Sequence, residues 1–150
     1  MSIMNMVKNI KEIHPKSLLL FKVGAFCEVY GKDSYIISYL FNYQVRQNWK
    51  NNILKVGFSK KAIPSVISKL EEQKIDYLLI DVRNNYYVDK KFENRNLNKY
   101  DTVFEKAYLY VRKQRKIRKI NEKLMEQIDS ADFKEKVGRI KEILNEGRKV

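Results

Sequence analysis

The stretch LLLFKVGAFCEVYGKD, residues 18–33, decides the fold. It opens with an apolar run of strand length from Leu18 to Val23, which predicts a buried β-strand that ends at Gly24. Residues 31–33, Gly-Lys-Asp, predict a turn, which supplies an aspartate or serine N-cap to the helix that follows. The stretch therefore predicts a buried strand and a capped helix close together in the chain.

Helices and strands alternate on both sides of this stretch. The helix before it ends at His14-Pro15, because the residue preceding a proline is driven out of the α region. On the other side, Asn84-Asn85 predicts a hairpin turn. The predicted helices span residues 3–13 and 62–73, the predicted strands span 53–56 (ended by Gly57), 77–82 and 86–92, and residues 46–52 are a predicted loop. The alternation predicts an α/β fold with a mixed β-sheet flanked by helices.

From Tyr100 onward the apolar spacing is purely helical. It predicts one helix over residues 101–128, a break at Asp129-Ser130, and a second helix over residues 131–145 that ends at Gly147. We therefore divide the chain into an α/β domain at residues 1–99 and a basic two-helix extension, a helical hairpin, at residues 100–150.

The first C-terminal helix carries apolar side chains on two different sides. Its first half has them at Phe104, Tyr108 and Val111, and its second half has them nearly opposite, at Ile117, Ile120, Leu124 and Ile128. A straight helix with this pattern needs two partners. We expect the first half to pack on the α/β body and the second half to pair with the final helix or with another chain. A kink between Lys113 and Lys116 is the alternative.

The chain carries a formal net charge of +13, and basic side chains outnumber acidic ones both before and after residue 100. An excess of this size attracts polyanions, and phosphate backbones are the commonest polyanions in a cell. Anionic membranes and acidic proteins are competing partners, and a merely solvated basic surface is a further alternative. Charge alone favours nucleic acid without selecting it.

Several of the basic residues recur at helical spacing in the first C-terminal helix. No acidic residue lies between Lys106 and Glu122. The basic stripe consists of Arg112, Arg115, Lys116, Lys119 and Lys123. Such a stripe can follow a phosphate backbone, although many charged helix faces are simply solvated. We predict phosphate contact and no membrane partner, because the opposite face lacks the bulky apolar density of an interfacial helix.

Catalysis has little support in the sequence. The chain has one cysteine, Cys27, and one histidine, His14, so it has no cluster with metal-ligand spacing, and it has no paired acidic motif of a metal nuclease. A lone thiol fits a reducing compartment, and the amino terminus has no apolar run long enough for a signal peptide or a membrane span. We expect a cytoplasmic protein that is not an enzyme and needs no cofactor.

The order of these motifs resembles the first domain of the DNA repair ATPase MutS, which reads mismatches. In that family a helix ending in His-Pro is followed by a leucine-rich strand, by Gly-x-Phe-Tyr-Glu and by a Gly/Asp turn into a helix. The matching segments here are His14-Pro15, Leu18–Phe21, Gly24–Glu28 and Gly31–Asp33. Ile53–Gly57 and Ile63–Leu70 are similar to the family's second strand and its next helix, so the resemblance covers roughly residues 4–95.

The resemblance implies roles for Phe26 and Glu28. In the family the phenylalanine wedges into the minor groove and stacks on a mismatched base, and the glutamate hydrogen-bonds that base. Unstacking costs least where pairing is already defective. We predict that Phe26 lies at the surface, where the first strand meets the following helix. The alternative is that Phe26 is a core aromatic and Glu28 an ordinary helix-start acid.

A further hypothesis concerns aromatic side chains in or near loops. Trp49, Tyr86 and Tyr87 could stack on bases, since every base has a flat face that an aromatic ring can cover. By default such residues lie at the edge of a core.

Two hypotheses about function follow. The first is a protein that binds a DNA or RNA–DNA duplex through Phe26, Glu28 and the basic stripe, without the MutS ATPase, since no P-loop motif occurs. Free-standing proteins similar to this domain occur beside reverse transcriptases, so an accessory factor of a reverse transcriptase is a specific version. The second is a non-catalytic adaptor whose C-terminal helices dimerise or dock on a partner. A steep salt dependence of duplex affinity separates the two.

Overall fold

The computed structural model describes residues 2–47 and 50–146. The chain divides into two compact units, Met1–Val111 and Arg112–Val150. The helices are α1 (Ile3–Ile13), α2 (Lys32–Phe41), α3 (Ile63–Glu72), α4 (Tyr100–Glu126) and α5 (Phe133–Glu146), and a single 3₁₀ turn, Lys60–Ala62, precedes α3. The strands are β1 (Leu18–Val23), β2 (Phe26–Tyr30), β3 (Arg46–Gln47), β4 (Leu54–Ser59), β5 (Tyr77–Asp81) and β6 (Tyr87–Phe92).

Within the described residues, the strands of the first unit form one six-stranded sheet in the order β3-β4-β2-β1-β5-β6. β1 pairs with β5 in parallel, and the other pairings among these strands are antiparallel. A core lies on each face because successive side chains of a strand point to opposite sides. The predicted α/β class, a mixed sheet flanked by helices, is confirmed.

The two cores differ in what covers them. On one face, Val7 of α1 packs with Leu19, Phe21 and Ile80 of the sheet. The opposite face is covered by α2, α3 and the first part of α4. The α4 residues buried in this second core are Tyr100, Val103, Ala107 and Val111. The first unit is therefore a three-layer structure with the sheet in the middle.

Most of the local predictions are confirmed. The predicted helix at residues 3–13 is α1, and Ser2 caps it by accepting a hydrogen bond from the Asn5 backbone N–H at 3.3 Å. The predicted strands at residues 18–23 and 77–82 correspond to β1 and β5. The predicted hairpin turn at Asn84-Asn85 joins the antiparallel strands β5 and β6.

The main error concerns β2, which the sequence does not predict. Gly24 ends the first strand, as predicted, but with a φ of 61° it also opens a two-residue hairpin turn, so the chain returns at once as a second strand. Likewise β4 continues through Gly57 to Ser59, because its partner β2 extends the ladder past that glycine. The predicted loop at residues 46–52 also contains the short strand β3.

The predicted N-cap of α2 is also wrong, because Asp33 is engaged elsewhere. The N-cap is Gly31, and no side chain caps the helix. Asp33 is 2% exposed and accepts hydrogen bonds from the Lys11 ammonium at 2.7 Å, the Leu19 backbone N–H at 3.0 Å and the Tyr100 hydroxyl. One carboxylate therefore joins α1, β1, α2 and α4. Burial lowers the pKa of Lys11, while its ion pair with Asp33 opposes that shift.

Helix α4 partly fulfils the two-sided prediction. It is helical throughout Tyr100–Glu126. Its first half packs on the α/β body, as expected, through Val103, Ala107 and Val111, with Phe104 half-buried beside them. No helix among the described residues is long and apolar enough to cross a membrane.

The second unit contains the end of α4 and α5. Lys136 donates a hydrogen bond to Gln127 at 2.5 Å, which ties α5 to the residues that follow α4. In the second apolar stripe Leu124 is half-buried, whereas Ile117, Ile120 and Ile128 are 59%, 54% and 52% exposed. Pairing of this stripe with another chain stays a prediction. The predicted helix end at Gly147 lies outside the described residues.

Cys27 points from β2 into the second core and is fully buried. Burial raises the pKa of its thiol to about 12, so the thiol is protonated at neutral pH and is a poor nucleophile. We expect iodoacetamide to alkylate the native protein at least about 100-fold more slowly than the protein unfolded in guanidinium, because reaction requires opening of the sheet. Mass spectrometry of timed samples measures both rates, and equal rates would contradict the burial of Cys27.

Candidate nucleic-acid interface

Phe26 is the first residue of β2 and follows the two-residue turn Gly24-Ala25. It lies opposite Val23 of β1 and, on its other side, opposite Ser59 of β4. Phe26 is 57% exposed, so its predicted surface position is confirmed and the core-aromatic alternative is wrong. The position itself differs from the prediction, because Phe26 lies between two antiparallel strands rather than where a strand meets a helix.

The alternation of β2 separates the candidate site from the core. Cys27 and Val29 are buried in the second core, whereas Phe26, Glu28 and Tyr30 lie on the opposite face. α1 covers this face at the Tyr30 end and leaves the Phe26 end open. The family-type pair of phenylalanine and glutamate therefore lies on one face of one strand, about 7 Å apart along the chain.

Glu28 is held by two neighbours on this face. The Tyr30 hydroxyl donates a hydrogen bond to its Oε2, and the Lys55 ammonium lies 3.4 Å from its Oε1. Burial, followed by the hydrogen bond to Glu28, raises the pKa of the Tyr30 hydroxyl, which therefore stays a donor at neutral pH. Gly57 lies directly across from Glu28, and a Cβ at Gly57 would meet nothing within 4 Å. The carboxylate is thus fixed in place beside an open space.

That open space is a groove of about 410 Å³. Phe26, Glu28 and Gly57 line it together with Arg46 and Lys55, two cations that outnumber its one carboxylate. Lys55 offsets the charge of Glu28, which would otherwise repel a phosphate-rich partner. The groove combines an exposed ring, a fixed hydrogen-bond acceptor and positive charge, which suits a flat, polar ligand attached to an anionic backbone.

The basic stripe lies on the part of α4 that belongs to the second unit. Arg112, Lys116, Lys119 and Lys123 are exposed and Arg115 is half-buried. Among the described residues, Arg115, Lys116, Lys119 and Lys123 form no ion pair with an acidic side chain. These charges are available to an external anion, and their contact with phosphate stays a prediction.

The other candidate residues have mixed positions. Tyr87 is 61% exposed on β6, and Tyr86 is half-buried against the α1-side core. Trp49 lies outside the described residues. Within residues 2–47 and 50–146 no group of three or more histidine, cysteine, aspartate or glutamate side chains is placed to hold a metal ion.

Sequence reasoning did not find four members of this site: Tyr30, Arg46, Lys55 and Gly57. The sequence did contain a signal for Tyr30. The small apolar residues Cys27 and Val29 alternate with the larger Phe26, Glu28 and Tyr30, which is the period of a β-strand. The other three come from β3 and β4, which reach Glu28 only through the pairing of strands. No local pattern in the sequence indicates that pairing.

Comparison with known proteins identifies the family. The family model for MutS domain I matches residues 1–102, which is about two thirds of the chain and includes every strand of the sheet described above. No match was found among curated proteins. At a coarse level the match supports DNA binding and mismatch recognition as the general function. The chain belongs to the MutS domain I family.

Proposed function

We propose that this protein binds a nucleic-acid duplex, DNA or RNA–DNA, by inserting Phe26 into the minor groove while the basic stripe of α4 lies on the phosphate backbone. The observation that carries the proposal is the exposed Phe26 ring on the same strand face as the fixed carboxylate of Glu28. Burying an exposed phenylalanine between bases gains apolar contact that water does not provide.

Glu28 is proposed to contact the base beside the Phe26 ring. Its Oε1 is the freer of the two oxygens, because its partner Lys55 is 3.4 Å away and its other oxygen accepts from Tyr30. A base N–H can donate to Oε1 beside Lys55 or in its place, and the carboxylate then still has a hydrogen-bond donor on each oxygen. The cost of bringing Glu28 close to phosphates is reduced because Lys55 stays near.

The basic stripe and the pair of Phe26 and Glu28 contribute differently to affinity. The basic stripe neutralises phosphates and releases counterions, which gives affinity that does not depend on sequence. Phe26 and Glu28 contact bases, and they favour steps that are already weakly stacked or mispaired. Mismatch preference should therefore depend on Phe26, and salt dependence on the stripe.

We expect Phe26→Ala to lose about 1–3 kcal/mol of the preference for a mismatched duplex over a matched one, which is the value of one stacked base. The slope of log affinity against log salt should not change, since no charge is removed. Fluorescence anisotropy with matched and mismatched duplexes over a salt series measures both quantities. Leu97→Ala is the control, because Leu97 is a similarly exposed apolar side chain, 56% against 57%.

Two results would decide against the wedge. If Phe26→Ala and Leu97→Ala have equal mismatch preference, Phe26 does not stack on the base. If the parent protein binds no duplex at low salt, the nucleic-acid proposal itself is wrong. Thermal unfolding of both variants should match the parent within a few degrees, because each removed side chain is mostly exposed.

We further propose that the chain acts without catalysis or a cofactor, in the cytoplasm, as an accessory factor of a nucleic-acid enzyme such as a reverse transcriptase. Support comes from the exposed basic stripe, which can hold a template–primer duplex for a polymerase, and from the buried, protonated thiol of Cys27. A primer-extension assay with a reverse transcriptase, run with and without the protein, tests the accessory role.

A second function, that of a protein–protein adaptor or homo-oligomer, is favoured by one observation. The second unit exposes several large apolar side chains, which in a soluble protein mark contact surfaces when they adjoin one another. These are Ile117, Ile120, Met125, Ile128, Ile143 and Leu144. Sedimentation of the parent and of Ile117→Asp/Ile120→Asp tests self-association. An adaptor should show self-association or partner capture without duplex binding.

A further inference from the structure

Three turns of the first unit meet at one end of the sheet. The β1–β2 turn contains Ala25, whose carbonyl accepts a hydrogen bond from the Lys60 backbone N–H at 3.1 Å. The turn after β5 begins at Val82, whose N–H donates to the Lys22 carbonyl at 3.3 Å. The residues after β4 and after β5 therefore lie on either side of the β1–β2 turn, which directly precedes Phe26. We call this end of the sheet the tip.

Three basic side chains, which we call the tip cations, belong to these turns. Lys60 and Lys61 form the 3₁₀ turn after β4, directly beyond Ser59, the cross-strand neighbour of Phe26. Arg83 comes from the other side, and its guanidinium lies 3.5 Å from the position that a Cβ on Gly24 would take. The tip cations thus flank the β1–β2 turn on both sides.

The tip cations have no acidic partner among the described residues. Lys22, a fourth basic residue nearby, is different, because Asp89 lies 2.6 Å and Asp81 3.8 Å from its ammonium. Asp81 and Asp89 therefore pair with Lys22 and not with the tip cations. The positive charge of Lys60, Lys61 and Arg83 is left for an external anion.

We propose that the tip cations bind the phosphates of both strands on either side of the base pair that Phe26 enters. A minor groove is about 6 Å wide and has a phosphate backbone along each side. A ring inserted in that groove thus has phosphates to its left and right, and the tip places Lys60 and Lys61 on one side and Arg83 on the other. The inference rests on the proposed function and adds its phosphate contacts within the first unit.

The test compares two triple variants that lose equal charge. The tip variant is Lys60→Ala/Lys61→Ala/Arg83→Ala. The control, Lys69→Ala/Arg95→Ala/Lys99→Ala, removes cations from α3 and from the segment between β6 and α4, away from the three turns of the tip. We expect the salt slope of duplex affinity to fall by about 0.9 per contact, and affinity near 0.1 M salt to fall about 100- to 1,000-fold, in the tip variant. The control should lose less than about fivefold.

The possible outcomes are distinguishable. A tip variant that loses both slope and affinity while the control keeps them supports phosphate binding at the tip. If the parent binds duplex and both variants weaken equally, only net charge matters and this inference is wrong while the proposed function stands. If the parent binds no duplex, the proposed function fails and this inference fails with it. Circular dichroism of each variant shows whether the fold is retained.

Discussion

The variant Arg112→Ala/Arg115→Ala/Lys116→Ala/Lys119→Ala is expected to bind duplex on the order of 10³-fold more weakly than the parent near 0.1 M salt. Each phosphate contact contributes about 0.9 to the slope of log affinity against log salt, so four lost contacts lower that slope by about 3.6. The loss should be the same for matched and mismatched duplexes, because cations that bind phosphates position the protein without reading bases.

The control for this variant removes the same number of positive charges from exposed positions of α4 and α5 outside the stripe. Lys106 and Lys113 on α4, with Lys134 and Lys141 on α5, are exposed but lie outside the stripe, and their fourfold alanine variant should keep most of the slope. Anisotropy titrations from low to moderate salt measure affinity and slope together. Tight binding of the stripe variant at low salt would show that this helix does not hold nucleic acid.

The second large effect concerns stability. Asp33→Asn should lower the free energy of unfolding by about 3–5 kcal/mol, because it removes the buried charge that compensates Lys11 and weakens the acceptor shared by Leu19 and Tyr100. The side chains of Asp33 and Lys11 are 3% and 26% exposed, so water does little to replace the lost partner. Urea unfolding at neutral pH followed by circular dichroism measures the change.

A surface ion pair elsewhere in the first unit provides the control. Lys16 and Asp101 also lie 2.7 Å apart, but their side chains are 56% and 64% exposed, so Asp101→Asn should change stability by less than about 1 kcal/mol. The double variant Lys11→Met/Asp33→Asn should be more stable than Asp33→Asn alone, because it removes the uncompensated ammonium. Equal effects of Asp33→Asn and Asp101→Asn would show that the buried network does not stabilise the fold.

The sequence predicts that Phe26 is exposed, but it does not predict the strands beside it. The motif Gly24–Glu28 predicts an exposed phenylalanine, and Phe26 is 57% exposed. The sequence does not show that Phe26 starts a strand, because a glycine that ends one strand and a glycine that turns a hairpin have the same local pattern. That difference decides which residues surround Phe26.

Asp33 is a second example. Its position at the start of a helix predicts a cap, since aspartate is common there. The structure engages it instead with α1, β1 and α4, because the lysine, the N–H and the hydroxyl that reach it come from residues 11, 19 and 100. Because these partners are distant in the chain, the residues around position 33 contain no pattern that predicts them.

The sequence by itself determined the helices, the buried strands β1 and β5, the α/β class and the family, because apolar periodicity and ordered motifs are local properties of the chain. Only the tertiary structure decided that Lys55 and Gly57 face Glu28 and that Lys60 and Arg83 flank the turn before Phe26. Strand pairing and register set these neighbours, through hydrogen bonds between segments whose separation in sequence carries no periodic signal.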